Sequence, residues 1–89
     1  MINQDLLDHQ FRELFKDSSQ TGFKVDDHLY IKMNRKGSLV KSTIEVYKDG
    51  VFWFRERLGR FTTYQGFFNA MVLTLRTIPA ANGRSVPEM

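Results

Sequence analysis

Apolar residues recur along this chain with two different periods. Between residues 3 and 16, Leu7, Phe11 and Leu14 centre a stripe at helical spacing, flanked by Leu6 and Phe15. Asn3 is placed to cap that helix. Asp5 and Asp8 suit its first turns and Lys16 its last, because the helix dipole favours acids at its start and bases at its end. Asp17-Ser18-Ser19-Gln20-Thr21-Gly22 reads as a loop, with Phe23 and Val25 beyond it as a short extension or a plug. The period then drops to two. Leu29, Ile31 and Met33 face one way, and His28, Tyr30 and Lys32 the other. A basic turn, Asn34-Arg35-Lys36-Gly37, leads to a second strand. There Val40, Ser42, Ile44 and Val46 share a face opposite Lys41, Thr43, Glu45 and Tyr47.

A third strand starts at Val51 after Lys48-Asp49-Gly50, and two registers compete for it. A two-residue Asp49-Gly50 turn pairs Lys48 with Val51 and sets Ile44 beside Arg55. A three-residue loop with Gly50 in the left-handed region pairs Tyr47 with Val51, and sets Val46 beside Phe52 and Ile44 beside Phe54. A slip of one residue exchanges the faces, so burial arbitrates. The first register buries an arginine at a cost of several kcal/mol in order of magnitude. The second buries two phenylalanines, each worth roughly 1.5–3 kcal/mol. The second is expected, with Phe52 and Phe54 inside and Trp53, Arg55 and Arg57 outside. Glu56 falls on the core side beside Ser42 and marks the place where the strand should end or bulge.

Thr62-Thr63-Tyr64-Gln65 reads as a capping box that opens a second helix, with Thr62 as the cap. Tyr64, Phe67, Phe68, Met71, Leu75 and Ile78 form its apolar stripe. Leu73 points away from it, and Pro79 stops the helix. The expected fold is α+β in the order α-β-β-β-α. Its three-stranded antiparallel meander has the helices on one face, since a sheet this small needs a helix over its apolar side. Residues 1–78 form the single domain and 79–89 a tail. The open face then shows Tyr30, Lys32, Lys41, Thr43, Tyr47, Trp53, Arg55 and Arg57.

Charge changes the picture of that face. The net charge is +3, unevenly spread. Residues 1–27 hold six acids (Asp5, Asp8, Glu13, Asp17, Asp26, Asp27) against three bases (Arg12, Lys16, Lys24). Residues 28–60 hold eight bases (Lys32, Arg35, Lys36, Lys41, Lys48, Arg55, Arg57, Arg60) against three acids (Glu45, Asp49, Glu56). The sheet is therefore the basic part, which hints at an anionic partner. The chain has no cysteine, which excludes disulfides and thiolate metal sites. It has no apolar run near the roughly 18 residues of a membrane span, so a soluble intracellular protein with no membrane partner is expected.

Signals of catalysis are poor. The chain has no G-x-S-x-G, P-loop or G-x-G-x-x-G motif. His9 and Glu13 lie four apart on the first helix, but two ligands do not make a metal site. Asp26 and Asp27 are adjacent on extended chain, where side chains point apart, which suits a strand-entry role better than a catalytic pair. His28 beside them reads as structural or exposed. No enzyme, metal or cofactor is expected.

Leu58-Gly59-Arg60-Phe61-Thr62-Thr63, leading into a helix through Gln65 and Ala70, resembles the junction in AP2-type DNA-binding domains. There a leucine-glycine-x-phenylalanine-x-threonine run ends the third strand and opens the packing helix. The arm-binding domains of phage-type integrases share the layout. The resemblance spans roughly Lys32 to Ala70, and its specific part is Leu58, Gly59, Phe61 and Thr63. It implies DNA read in the major groove by the free sheet face, with Arg55 and Arg57 as contacts and Trp53 on the same strand face. The chain departs from the pattern in several ways. Tyr30 and Lys32 stand where the family has an arginine-rich strand, the second helix is rich in phenylalanine, and the first helix is extra. The element order is also similar to double-stranded-RNA-binding domains. Their basic motif at the last helix is missing, since Thr63-Tyr64-Gln65-Gly66 has no lysine.

The first expectation is a non-enzymatic nucleic-acid-binding module, for DNA before RNA. Arg55, Arg57, Lys41 and Lys32 would meet phosphates or bases, and Trp53 and Tyr47 sugar or base. Arg35 and Lys36 would hold the backbone from the hairpin tip. The second is a protein-interaction module, a small regulator or inhibitor and a possible homodimer, using Trp53 and Tyr47 or the acidic first helix.

Overall fold

The structure, a computed structural model, describes residues 3–78. The expected tail from Pro79 onward lies outside the described residues. The fold is α+β: helix α1 (Gln4–Lys16), strands β1 (Gly22–Lys24), β2 (Leu29–Lys36), β3 (Ser38–Lys48) and β4 (Val51–Arg57), a 3-10 turn (Leu58–Arg60), and helix α2 (Tyr64–Thr77). The strands form one antiparallel sheet in the order β1-β2-β3-β4. The meander therefore has a fourth strand. The Phe23 extension pairs with β2 because the Asp26 carboxylate closes the turn, accepting from the backbone N–H of His28 (2.7 Å) and Leu29 (2.8 Å).

Both helices cover one face of the sheet. Leu7, Phe11 and Leu14 of α1 meet Phe67, Phe68, Met71, Val72 and Leu75 of α2 over Leu29, Ile31, Met33, Ile44 and Val46. Phe11 is the hub, edge-on to Phe23 at 5.2 Å and to Phe67 at 5.1 Å between centroids. Removing these side chains from water is the main force holding the fold, at roughly 1.5–3 kcal/mol for each large apolar residue. The helices are also clasped at their edge. The Tyr64 hydroxyl donates to Asp8 Oδ1 at 2.6 Å, and the Arg12 guanidinium lies 4.3 Å from the Tyr64 ring centroid. Burial first, then the bond to Asp8, raises the Tyr64 pKa well above its ordinary value.

Asn3 caps α1 as expected, its side chain accepting from Leu6 N–H at 3.1 Å. The cap of α2 is Thr63 rather than Thr62. Its hydroxyl accepts from Gly66 N–H at 3.0 Å, and Gln65 reaches forward to Asn69 at 2.9 Å instead of back to a cap. Val72 joins the buried stripe of α2, while Leu73 is exposed as the periodicity predicts.

The far end of the β2–β3 hairpin is irregular. The expected four-residue turn shrinks to Gly37, with φ of +91°, and the pairing slips between Asn34–Thr43 and Lys36–Ser38. The extra residues of β3 leave the sheet face, so Val40, expected on the core side, is exposed. Ser42 holds this irregular stretch. Its hydroxyl accepts from Lys36 N–H at 3.1 Å and donates to the Ser38 carbonyl at 2.8 Å, and it is 2% exposed.

The β3–β4 register corrects the expectation. Lys48 pairs with Val51 and Tyr47 with Phe52, around a two-residue turn in which Asp49 (φ +51°) and Gly50 (φ +82°) are both left-handed. Positive φ at both central residues is the hairpin turn whose twist matches the strands, and Asp-Gly is among its preferred pairs. The pairing then jumps, with Val46 opposite Phe54, Ile44 opposite Glu56 and Thr43 opposite Arg57. Trp53 is the extra residue, a β-bulge. The bulge removes the objection to the short turn. It shifts the phase so that Phe54, not Arg55, meets the core side. Phe52, expected inside, ends up 47% exposed beside Tyr47. Glu56 does fall on the core side, where Arg60 pairs with its carboxylate at 2.8 Å.

Candidate nucleic-acid interface

Residues paired directly across antiparallel strands share a face, so the register defines the open side of the sheet. One line across the strands carries Lys24, Tyr30, Tyr47 and Phe52. The next carries Gly22, Lys32, Glu45 and Arg55, and a third carries Asn34, Thr43 and Arg57. The face thus has an aromatic row beside a charged one. Lys24, Lys32, Arg55 and Arg57 are all exposed, against one acid, Glu45, which is 7% exposed.

Glu45 organises the centre. One carboxylate oxygen accepts from the Tyr47 hydroxyl at 2.9 Å, and the other lies 3.5 Å from Arg55 Nε. The hydrogen bond to Glu45, then burial, raises the Tyr47 pKa. Phe52 stands edge-on to Tyr47, with centroids 5.8 Å apart, and the Arg55 guanidinium lies 5.7 Å from the Phe52 ring centroid. The Arg55 side chain remains 57% exposed. Glu45 thus holds one side of the guanidinium in place while its exposed side stays open to an incoming anion.

The structure brings Lys32, Tyr47, Arg55 and Arg57 together on this face, as the sequence predicts. It does not bring in the others. Trp53, in the bulge, leaves the row and stands beside Lys48, whose Nζ is 6.0 Å from its ring centroid. Lys36 and Lys41 are exposed at the irregular hairpin end, beyond the third line. Arg35 plays a structural part instead. Its Nη2 donates to the carbonyls of Leu14 (2.6 Å), Asp17 (3.0 Å) and Gln20 (3.2 Å), which closes the end of α1. A cation there satisfies the Leu14 carbonyl, one of the last four of the helix, and ties the following loop to it through Asp17 and Gln20.

Lys24, Tyr30 and Phe52 are the face residues that sequence reasoning left out of the site. Asp49-Gly50 itself carried the signal for Phe52, since its preferred turn opposes Tyr47 to Phe52.

Elsewhere, the side chains of Phe15, Leu39, Val40, Leu58, Phe61 and Phe67 line an apolar groove of about 250 Å³. Among the described residues, no group of three or more histidines and acids could hold a metal ion, and no helix is long and apolar enough to cross a membrane. His28 Nδ1 lies 2.7 Å from Asp49 Oδ1, and Glu13 pairs with Lys16 at 3.4 Å, so both groups have local partners. No family model, curated protein or solved structure matches the chain.

Proposed function

We propose that this protein is a non-enzymatic nucleic-acid-binding module that works through its open sheet face, with DNA as the first choice of polymer. The observation that supports the reading most is the composition of that face. It has four exposed cations (Lys24, Lys32, Arg55, Arg57) against one buried acid, and the aromatic row Tyr30–Tyr47–Phe52 beside them. Cations contact phosphates, and rings with a polar edge pack on sugar or base. Fluorescence anisotropy of a labelled oligonucleotide at 50 and 200 mM salt tests it. Neutralising a few phosphates predicts a fall in affinity of roughly 10- to 100-fold between those conditions. Absence of binding at low salt, or full binding by Arg55→Ala/Arg57→Ala, refutes the reading.

One observation favours a second reading, a protein-interaction module. Leu39 (47% exposed) and Val40 (64%) border the apolar groove on the helix side, and Leu73 (64%) is exposed on α2. Light scattering and a pull-down made with nuclease-treated protein separate the two. A nuclease-resistant complex lost on Val40→Asp supports the second.

A further inference from the structure

We infer that the nucleic acid this face accepts is single-stranded, with unpaired bases stacked on the Tyr30–Tyr47–Phe52 row; the inference rests on the nucleic-acid reading above. Tyr30 on β2 and Phe52 on β4 each lie opposite Tyr47 on β3. Neighbouring strands lie about 4.8 Å apart, so the row carries one aromatic residue on each of three strands, with the end of the Tyr30 ring lying over Gly22 of β1. Tyr47 and Phe52 keep their rings 5.8 Å apart and nearly perpendicular, and Phe52 is about half exposed.

The cations stand to one side of this row. Lys32 and Arg55 occupy the next register line and Arg57 the one after, while Lys24 ends the row itself. A strand laid across the sheet would put its bases over the rings and its phosphates along Lys32, Arg55 and Arg57. In a duplex the base faces are already stacked on each other and give aromatic side chains nothing to cover. Phosphates and groove edges are all that remains, and these call for polar groups. Unpaired bases expose a π-face to every ring, and aromatic platforms flanked by cations are the general means of holding them. The buried Glu45 carboxylate fits this arrangement. It lies beneath Tyr47 and Arg55 rather than at the surface, so it positions the ring and the cation without meeting a phosphate. Arg55 beside the Phe52 ring adds a flat cation that can stack on a base as well.

The test measures anisotropy for a fluorescent 12-nucleotide single strand and for the same sequence closed into a hairpin duplex, in DNA and in RNA. The proteins are the unmodified chain, Phe52→Leu and Phe52→Tyr. Circular dichroism checks that each variant is folded, as the exposure of Phe52 predicts. The single strand should bind at least about tenfold more tightly than the duplex. Phe52→Leu, apolar but without a ring, should lose roughly 5- to 100-fold, the value of one base-aromatic stack. Phe52→Tyr should keep the affinity. Duplex binding as tight as single-strand binding overturns the inference, and so does an unchanged Phe52→Leu. In both cases salt-dependent binding would leave the broader reading standing, and equally tight duplex binding would put the groove-reading mode implied by the AP2-type resemblance in its place. Failure to bind either polymer at low salt overturns both.

Discussion

Truncating Arg35 separates a structural arginine from a nucleic-acid contact. By sequence it sits in a basic turn and belongs with the phosphate-binding residues. In the fold it holds the C-terminal end of α1 through the carbonyls of Leu14, Asp17 and Gln20. Hydrogen bonds from a charged donor contribute roughly 1.5–3 kcal/mol each, but two protons on one nitrogen serve three acceptors here. Favourable interaction with the helix dipole adds about 0.3–1 kcal/mol. Partial exposure of the group reduces the total, so Arg35→Ala is expected to cost roughly 2–4 kcal/mol. For a domain of this size that lowers the melting temperature by about 10–25 °C. Arg35→Lys retains a charge but not the fork, and should recover only part of the loss. Thermal and urea denaturation measure both variants, and anisotropy well below the melting temperature measures binding. The reasoning predicts a large loss of stability and, for the folded fraction, nearly unchanged affinity. A melting temperature within about 3 °C of the unmodified protein, with binding weakened tenfold, would refute it.

Other expectations rest on single contacts. Ser42→Ala removes a donor and an acceptor from a site that is 2% exposed, and should destabilise by roughly 1–3 kcal/mol in urea denaturation. A Cβ on Gly59 would lie 2.6 Å from the Val40 carbonyl oxygen, so Gly59→Ala must move the 3-10 turn off β3; a cost of roughly 1–3 kcal/mol is expected by the same assay. The Tyr64 hydroxyl, with Arg12 assisting, holds the Asp8 carboxyl below its ordinary range. A depressed carboxyl contributes stability above its unfolded-chain pKa of about 4 and loses it as pH falls further, so Tyr64→Phe should flatten the acid limb of a pH–stability profile.

Two helices and the main strands were legible because their periods are long and regular. The stripe of Leu7, Phe11 and Leu14 and the alternation of Leu29, Ile31 and Met33 each recur often enough to outvote single residues. The short strand at Phe23 was not, because three residues carry no period and its pairing depends on the Asp26 turn. The candidate face was half legible. Parity places Lys32, Tyr47, Arg55 and Arg57 together, and a bulge has no local mark, so Phe52 joins the open face while Trp53 leaves its row and stays exposed beside Lys48. No single register satisfies both the turn and the core, and the strand satisfies both by slipping once. The role of Arg35 is hidden in the sequence for a different reason. Its partners lie 15 to 21 residues earlier in the chain, at a helix end and the loop after it that only the tertiary fold brings near.

The most direct test of the open face is an amide chemical-shift map of isotopically labelled protein titrated with a short single strand at low salt. The fold predicts that shifts concentrate on residues 30–34, 43–47 and 52–57, along the register lines of Tyr47 and Glu45, and that α1 and α2 stay silent. Shifts confined to α2 and the apolar groove around Val40 and Phe61, or no shifts at all, would contradict it.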